Sequence, residues 1–510
     1  MSLRNLIATL CAITFVWLTS SAHLGNTIVV QDGNAGPYGL RVLVRPPPVI
    51  PGLVDVVVRT TTASTMPTTV TLQPALWRYG TKGAPAPESA VAIPGEPGTF
   101  QTQVWIMSSG SYALHIAASG PAGSGTFIVP YTSVATGTLG MPEWLGWVLA
   151  ALGAFLVFGL ASVAGAASRE STLPAGAVPD PPRFRRARLA AGFAALIACT
   201  LVFGGWNWWN AVEQDYRRSL DRPLDVKTTV TSTGPRTLTL EVVDSAWQFT
   251  VPGAPQRRGR QTFTPLMPDH GKLMHMFLVQ AGGRGAVAHL HPVRRNERTF
   301  TTGVPELPAG TYWLFADVVH ESGATRTFVD TVAVGGGNSA PNSDGDDALS
   351  VSPATVNTAP ATLGDNAHFA IAVEGTPVAG KDVVIHARIT NADGSPAALA
   401  PWLGMAGHAM LLRTDGRVFM HLHPMGTSSM AAQDRLERRE KGDTAMHGDS
   451  QPIAMDMAAM PMHGGVATIA GQGDVRFPVA FPSEGTYRVF VQVRRVGHAI
   501  ETAAIDVTVR

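Results

Sequence analysis

The chain has 510 residues, 45% of them hydrophobic and only 15% charged, with a formal net charge of +1. That is long enough for several domains and apolar enough to include membrane segments, and the near-zero charge gives no footprint for nucleic acid. Its two cysteines, Cys11 and Cys199, both fall in apolar stretches, which excludes disulfides and thiolate metal sites from the water-exposed domains.

Residues 1–22 combine a basic Arg4, an apolar run over 6–18 and the small residues Ser20, Ser21 and Ala22, the pattern of a secretory signal peptide. Cleavage after Ala22 would leave His23 as an amino terminus able to chelate copper through amine and ring. Residues 23–138 carry short β-branched runs, such as those at 41–44 and 54–58, broken by Pro and Gly. This predicts an extracytoplasmic β-sandwich.

Two apolar segments follow, 144–167 and 189–209, each near the ~20 residues that span a bilayer. The intervening 168–188 contains Arg183, Arg185, Arg186 and Arg188, so the positive-inside rule places it in the cytoplasm and both flanking regions outside. Trp206, Trp208 and Trp209 fit an interfacial belt at the outer end of the second helix. Residues 225–334 and 353–510 return to the sandwich texture, joined by a Gly/Ser/Asn/Pro-rich stretch at 335–352 that reads as a flexible linker. The expected fold class is therefore mainly β: three immunoglobulin-like β-sandwich domains plus a signal peptide and two transmembrane helices.

One tail signature links the three domains: Gly-Ser-Tyr-Ala-Leu-His at 110–115, Gly-Thr-Tyr-Trp-Leu-Phe at 310–315 and Gly-Thr-Tyr-Arg-Val-Phe at 485–490. His115 aligns with Phe315 and Phe490 and reads as core-lining rather than as a ligand. The second and third domains share a further block. Met274-His275-Met276-Phe277-Leu278 precedes Ala288-His289-Leu290-His291-Pro292, and Gly407-His408-Ala409-Met410-Leu411 precedes Met420-His421-Leu422-His423-Pro424.

Each block predicts a hairpin. In the later copy Asp415-Gly416 suits a two-residue type I′ turn, which makes residues summing to 831 face each other, His408 with His423 and Met410 with His421. The earlier copy suits a turn centred on Gly283, pairing residues that sum to 566, His275 with His291. Opposed residues have Cβ atoms ~5 Å apart and alternate residues share a face. This predicts one site of His275, His289 and His291 and another of His408, Met410, His421 and His423.

After the second block comes a run holding Met455, Met457, Met460, Met462 and His463, with no amphipathic period; it reads as a long inserted loop. Thioethers select soft ions, so this run tilts the choice to copper, with zinc as the other ion that imidazole suits. His270, His320, His447 and His498 are further candidate ligands.

The Gly-Thr-Tyr strand and the histidine hairpin resemble bacterial envelope proteins with YtkA-like and FixH-like immunoglobulin-type domains. More loosely, the chain resembles CopC-type copper-resistance sandwiches, which combine His and Met ligands and expose an N-terminal histidine. The likeness covers mainly 227–510 and implies copper handling in the periplasm. The expected protein is anchored in the inner membrane, faces the periplasm or cell exterior, is not an enzyme, and receives copper from an envelope partner or delivers it to one. Two other readings stand beside it. One is an adhesion, scaffold or sensor module with structural histidines. The other is a redox enzyme with a cupin-like centre, for which Glu297 falls too far from His291 and the second block has no counterpart.

Overall fold

The computed structural model describes residues 28–174, 176–231, 233–250, 263–336, 338–340, 344–356, 359–446 and 473–510. The expected signal peptide and His23 lie outside these residues. The chain divides into two compact units, 135–220 and the rest.

The smaller unit is a helical hairpin. Helix α1 (Glu143–Glu170) and helix α2 (Pro181–Arg218) are about 42 Å and 57 Å long at 1.5 Å per residue, more than a ~30 Å hydrocarbon core requires. Their apolar side chains, Phe155, Phe158, Phe193 and Phe203 among them, are exposed, as a surface facing lipid would be. Close approach is made by small residues: Gly165 backs onto the Ala187 carbonyl and the Ala191 methyl. Asp180 caps α2 by accepting from the Arg183 N–H at 3.2 Å, with Pro181 starting the helix. Arg183, Arg185, Arg186 and Arg188 thus sit on the first turns of α2 instead of in a loop, because the Asp-Pro pair starts the helix before them.

The larger unit holds three two-sheet sandwiches, mainly antiparallel. In the first, a five-stranded sheet with Gly52–Thr60 at its centre faces a four-stranded sheet built on Gly110–Gly120. Val54, Val56 and Val58 point inward and alternate with more exposed residues, the period-2 pattern of a half-buried strand. The tail signature has one physical meaning throughout. Tyr112, Tyr312 and Tyr487 each donate a hydroxyl hydrogen bond to the carbonyl four residues upstream, Ser108 at 2.6 Å, Pro308 at 2.8 Å and Ser483 at 2.8 Å. These are tyrosine corners, pinning the entry of a central strand.

The two histidine hairpins depart from the half-buried pattern. The strands His275–Gln280, Val287–Leu290 and His408–Arg413 are buried almost without interruption. One face of each belongs to its own sandwich, with Met276, Leu278, Ala288 and Leu290 in one core and Ala409, Leu411, Met420 and Leu422 in the other. The other faces pack on each other: Phe277, Val279, Val287 and Phe315 of the second sandwich meet Met410, Leu412, Phe419 and Phe490 of the third. Phe315 and Phe419 stack at 4.3 Å with an interplanar angle of 3°.

Two further segments are ordered around this interface. Part of the stretch expected as a flexible linker is built into the fold: Ala348–Ser350 adds a strand beside Val287–Leu290, and Lys272 clamps Asp344 and Asp346. The insertion after the second hairpin begins not as loop but as helix α3 (Met430–Glu440), where Ser429 Oγ accepts from the Ala432 N–H at 3.0 Å. This insertion docks the first sandwich. Gln433 donates to the Ile128 carbonyl and Ser428 to that of Pro130, while at Gly426 (φ +138) a Cβ would meet the Val30 carbonyl oxygen at 2.0 Å.

Removing a buried aromatic from the shared face should leave a cavity between two domains. Phe419→Ala is expected to lower stability by about 3 kcal/mol in denaturant unfolding of the purified chain, and a loss below about 1 kcal/mol would show that the two sandwiches do not depend on this contact.

Candidate metal centre

Both hairpins have the register expected from their loops. Phe277 pairs with His289 and Met276 with Leu290, each summing to 566; Met410 pairs with His421 and Ala409 with Leu422, each summing to 831. The second turn is not type I′, which needs positive φ at both central residues. Gly416 alone has it (φ +76), Asp415 does not, and the Gly416 N–H closes on the Arg413 carbonyl at 2.8 Å. The register survives because Arg413 and Val418 still pair.

The docking of the two faces puts the apolar cluster at the turn ends of the hairpins and the imidazoles at their open ends. Among the described residues, seven histidines come together: His270, His275, His289 and His291 from the second sandwich, and His408, His421 and His423 from the third. Ring centres of neighbours lie 4.6–6.1 Å apart. The grouping therefore differs from one site per hairpin. Two sets of three can each offer ligand atoms within 4.8 Å of one another, His275, His289 and His421 in one and His270, His408 and His423 in the other. Each set draws on both sandwiches.

Hydrogen bonds decide which nitrogen each ring turns inward. Carbonyls and carboxylates only accept, so a ring nitrogen beside one carries the proton. His423 Nδ1 donates to the Ser428 carbonyl at 3.3 Å, and His291 Nδ1 to Asp347 Oδ1 at 3.1 Å. His421 Nδ1 faces Asp317 Oδ2 at 3.7 Å. In all three the Nε2 is buried with no hydrogen-bond partner among the described residues, as are both ring nitrogens of His270 and His408. An outward N–H held by a carboxylate or carbonyl, with the other nitrogen free, is the usual arrangement of a metal-ligating histidine.

His275 and His289 are more specific still. His275 Nε2 donates to the Asp269 carbonyl at 3.1 Å and His289 Nδ1 to Gln492 Oε1 at 3.3 Å. The remaining nitrogens, His275 Nδ1 and His289 Nε2, face each other at 3.2 Å. In neutral rings these are two lone pairs, which repel each other unless a cation lies between them. Two nitrogens bound to one zinc-sized ion lie about 3.4 Å apart, so the pair already has the spacing of ligands.

Five of the rings are held neutral. Burial, reinforced by the neighbouring imidazoles, pushes His275, His289, His408 and His421 well below the ordinary histidine range, and His423 to about 4. Asp317 moves the other way: burial, with Asp269 nearby, raises its carboxyl to about 7 although Thr327 donates to it.

Several supporting residues had gone unread in the sequence. Asp317 and Gln492 occupy the same place, seven residues after the glycine of the tail signature and opposite the first histidine of each block. Each reaches across to the equivalent histidine of the other domain, Asp317 to His421 and Gln492 to His289, and each pairs with a threonine on the next strand, Thr327 and Thr502. The aligned tails could have shown them. Asp347 was hidden in the linker composition, and Trp402, whose ring edges touch His289 and His408, carries no local signal.

Other candidates fall elsewhere. Met410 lies in the apolar interface, in one cluster with Phe277, Leu412 and Phe419. His320 is packed among Trp247, Phe249 and Phe263 and donates to the Thr264 carbonyl at 2.7 Å. His498 sits by Arg495 and Asp365. His115 lies outside the cluster, 3.3 Å from Glu440 Oε1 at the end of α3. His447, Met455, Met457, Met460, Met462 and His463 lie outside the described residues.

These features define a multi-sandwich β protein with two membrane-length helices and a buried histidine cluster between two sandwiches. The chain belongs to the family described as a domain of unknown function, DUF8832, matched over residues 229–336 and 361–510, the two sandwiches that build the cluster. No curated protein matches it. Similar solved structures include a tetra-tandem repeat from the extending region of a large adhesion protein (8% identity, covering 90% of this chain and 71% of that one, TM-score 0.15). Two others are a 1.5-MDa bacterial ice-binding adhesin (8%, 90% and 91%, TM-score 0.14) and MtrC from Shewanella baltica OS185 (12%, 60% and 71%, TM-score 0.15).

Neutral burial makes the fold sensitive to acid. Below pH ~6.5 the unfolded chain protonates histidines that the native state keeps neutral, which removes up to ~1.4 kcal/mol per pH unit for each one. Asp317 takes its proton first in the native state and offsets about one histidine over the same range. Five cluster histidines are lowered, so the melting temperature should fall steeply from pH 6.5 to 5. A melting temperature that holds constant over that range would contradict neutral burial of the rings.

Proposed function

We propose that this is a membrane-anchored, extracytoplasmic metal-binding protein, with copper as its ion, that buffers the metal or passes it to an envelope partner. The single observation that carries this reading is the pair of lone pairs of His275 and His289 facing each other at 3.2 Å in a buried cluster. Each buried polar atom left without a partner costs roughly 1–3 kcal/mol, and this cluster concentrates several of them. A cation satisfies them together.

The donor set selects the ion class. Neutral imidazoles suit copper and zinc, whereas calcium and magnesium take oxygen ligands. The methionine run between the second hairpin and the strand Asp474–Ala480 supports copper over zinc. The two apolar helices support a membrane anchor, and the arginines on the first turns of α2 support a cytoplasmic connection between the helices, with the sandwiches on the periplasmic or outer side.

Metal analysis of the purified chain should find copper retained after dialysis, and added copper should raise the melting temperature by mass action. His289→Ala and His421→Ala should each weaken binding by tenfold or more, while Met410→Leu should leave it nearly unchanged. Absence of bound metal in the wild type would sink the reading, and zinc outcompeting copper would remove the choice of ion. A reporter fused at Asp180 should be active on the cytoplasmic side; activity on the opposite side would reverse the proposed orientation.

A further inference from the structure

The two sets of imidazoles have no protein layer between them. His408 of one set lies 5.4 Å from His421 and 6.0 Å from His289 of the other, ring centre to ring centre. His270 and His275, one from each set, are 6.1 Å apart. Such separations match those within a set, where His275 and His421 are 5.2 Å apart. The Trp402 ring packs against both sets at once, through His289 and His408, so one indole borders the whole cluster.

We infer that the cluster is one dinuclear centre, which takes two copper ions side by side, each held by three imidazoles. This rests on the metal-binding reading above and deepens it. One ion takes His275, His289 and His421; the other takes His270, His408 and His423. Neither set is complete within one sandwich, so each ion bridges the two domains.

The surroundings suit two cations better than one. Three carboxylates stand at the edge of the cluster: Asp269 beside His270 at 3.5 Å, Asp317 beside His421 at 3.7 Å and Asp347 beside His291 at 3.1 Å. Buried cations need such counter-charges, and these stand next to both sets. His291, 4.8 Å from His289 and 5.1 Å from His275, turns an unpartnered Nε2 inward and supplies a further donor on the first ion's side. Sequence gives no hint of the pairing, because each set mixes residues more than 130 positions apart in the chain.

Two cupric ions in one chamber couple magnetically, whereas two in separate sites give independent spectra. The test loads the full-length chain in detergent with cupric ion, removes excess by dialysis, and compares copper content with electron paramagnetic resonance intensity. The expected result is two copper ions per chain with a half-field transition and much less signal than two independent spins. His270→Asn, which keeps a residue tolerant of the positive φ at this position (+53), should hold one copper with an ordinary uncoupled spectrum, and His289→Ala should do the same from the other side. Two ions with the full signal of two uncoupled spins would overturn the dinuclear centre. One ion in the wild type would overturn it while leaving the metal-binding reading intact, and no copper at all would overturn both.

Discussion

The contact between two strand faces, Phe277, Val279 and Phe315 on one side and Met410, Leu412 and Phe419 on the other, governs what this molecule can do. Each hairpin alternates its side chains between two faces, one committed to its own core. The second face carries aromatics near the turn and histidines at the open end. When the aromatics of the two domains stack, the imidazoles are carried inward with them and lose water. Hydrophobic burial of this kind is favourable by roughly 25 cal/mol per Å², and it holds in place a group of polar rings that would otherwise prefer to stay hydrated.

Reciprocity organises the polar end. Asp317 and Gln492 are equivalent residues on equivalent strands, and each faces a histidine of the other domain. Together with Asp347, Asp269 and the Ser428 carbonyl they hold one nitrogen of the rings they touch, which leaves the Nε2 of His291, His421 and His423 buried without hydrogen-bond partners among the described residues. The surrounding segments serve the same end. Helix α3 donates its Ala431 N–H to Asp269, and the segment holding Asp344, Asp346 and Asp347 is fastened by Lys272 and by the Trp402 indole N–H. What looks like insertion and linker is the outer support of the cluster.

Much of the fold was legible in the chain. Period-2 runs and turn residues gave the sandwiches, and two long apolar segments gave the helices. The Gly-x-Tyr signature gave a recurring strand, whose tyrosine corner explains the recurrence. Hairpin register was legible too, since a one-residue slip would turn every buried side chain outward. Helix α3 was missed because the methionine-rich stretch beyond it dominated the composition of the insertion. The linker was misread because Asp347 and Ala348 owe their order to partners elsewhere in the chain, His291 and His289.

The sequence by itself determined which residues share a face within each hairpin, because strand alternation and loop length are local and act over a few residues. It did not determine which histidines meet. That depends on how two separately folded sandwiches dock, through side chains such as Phe315 and Phe419 that lie 104 positions apart and have no periodic relation. Only the tertiary structure could show that the two blocks, which read as two sites, bring their imidazoles into one cluster.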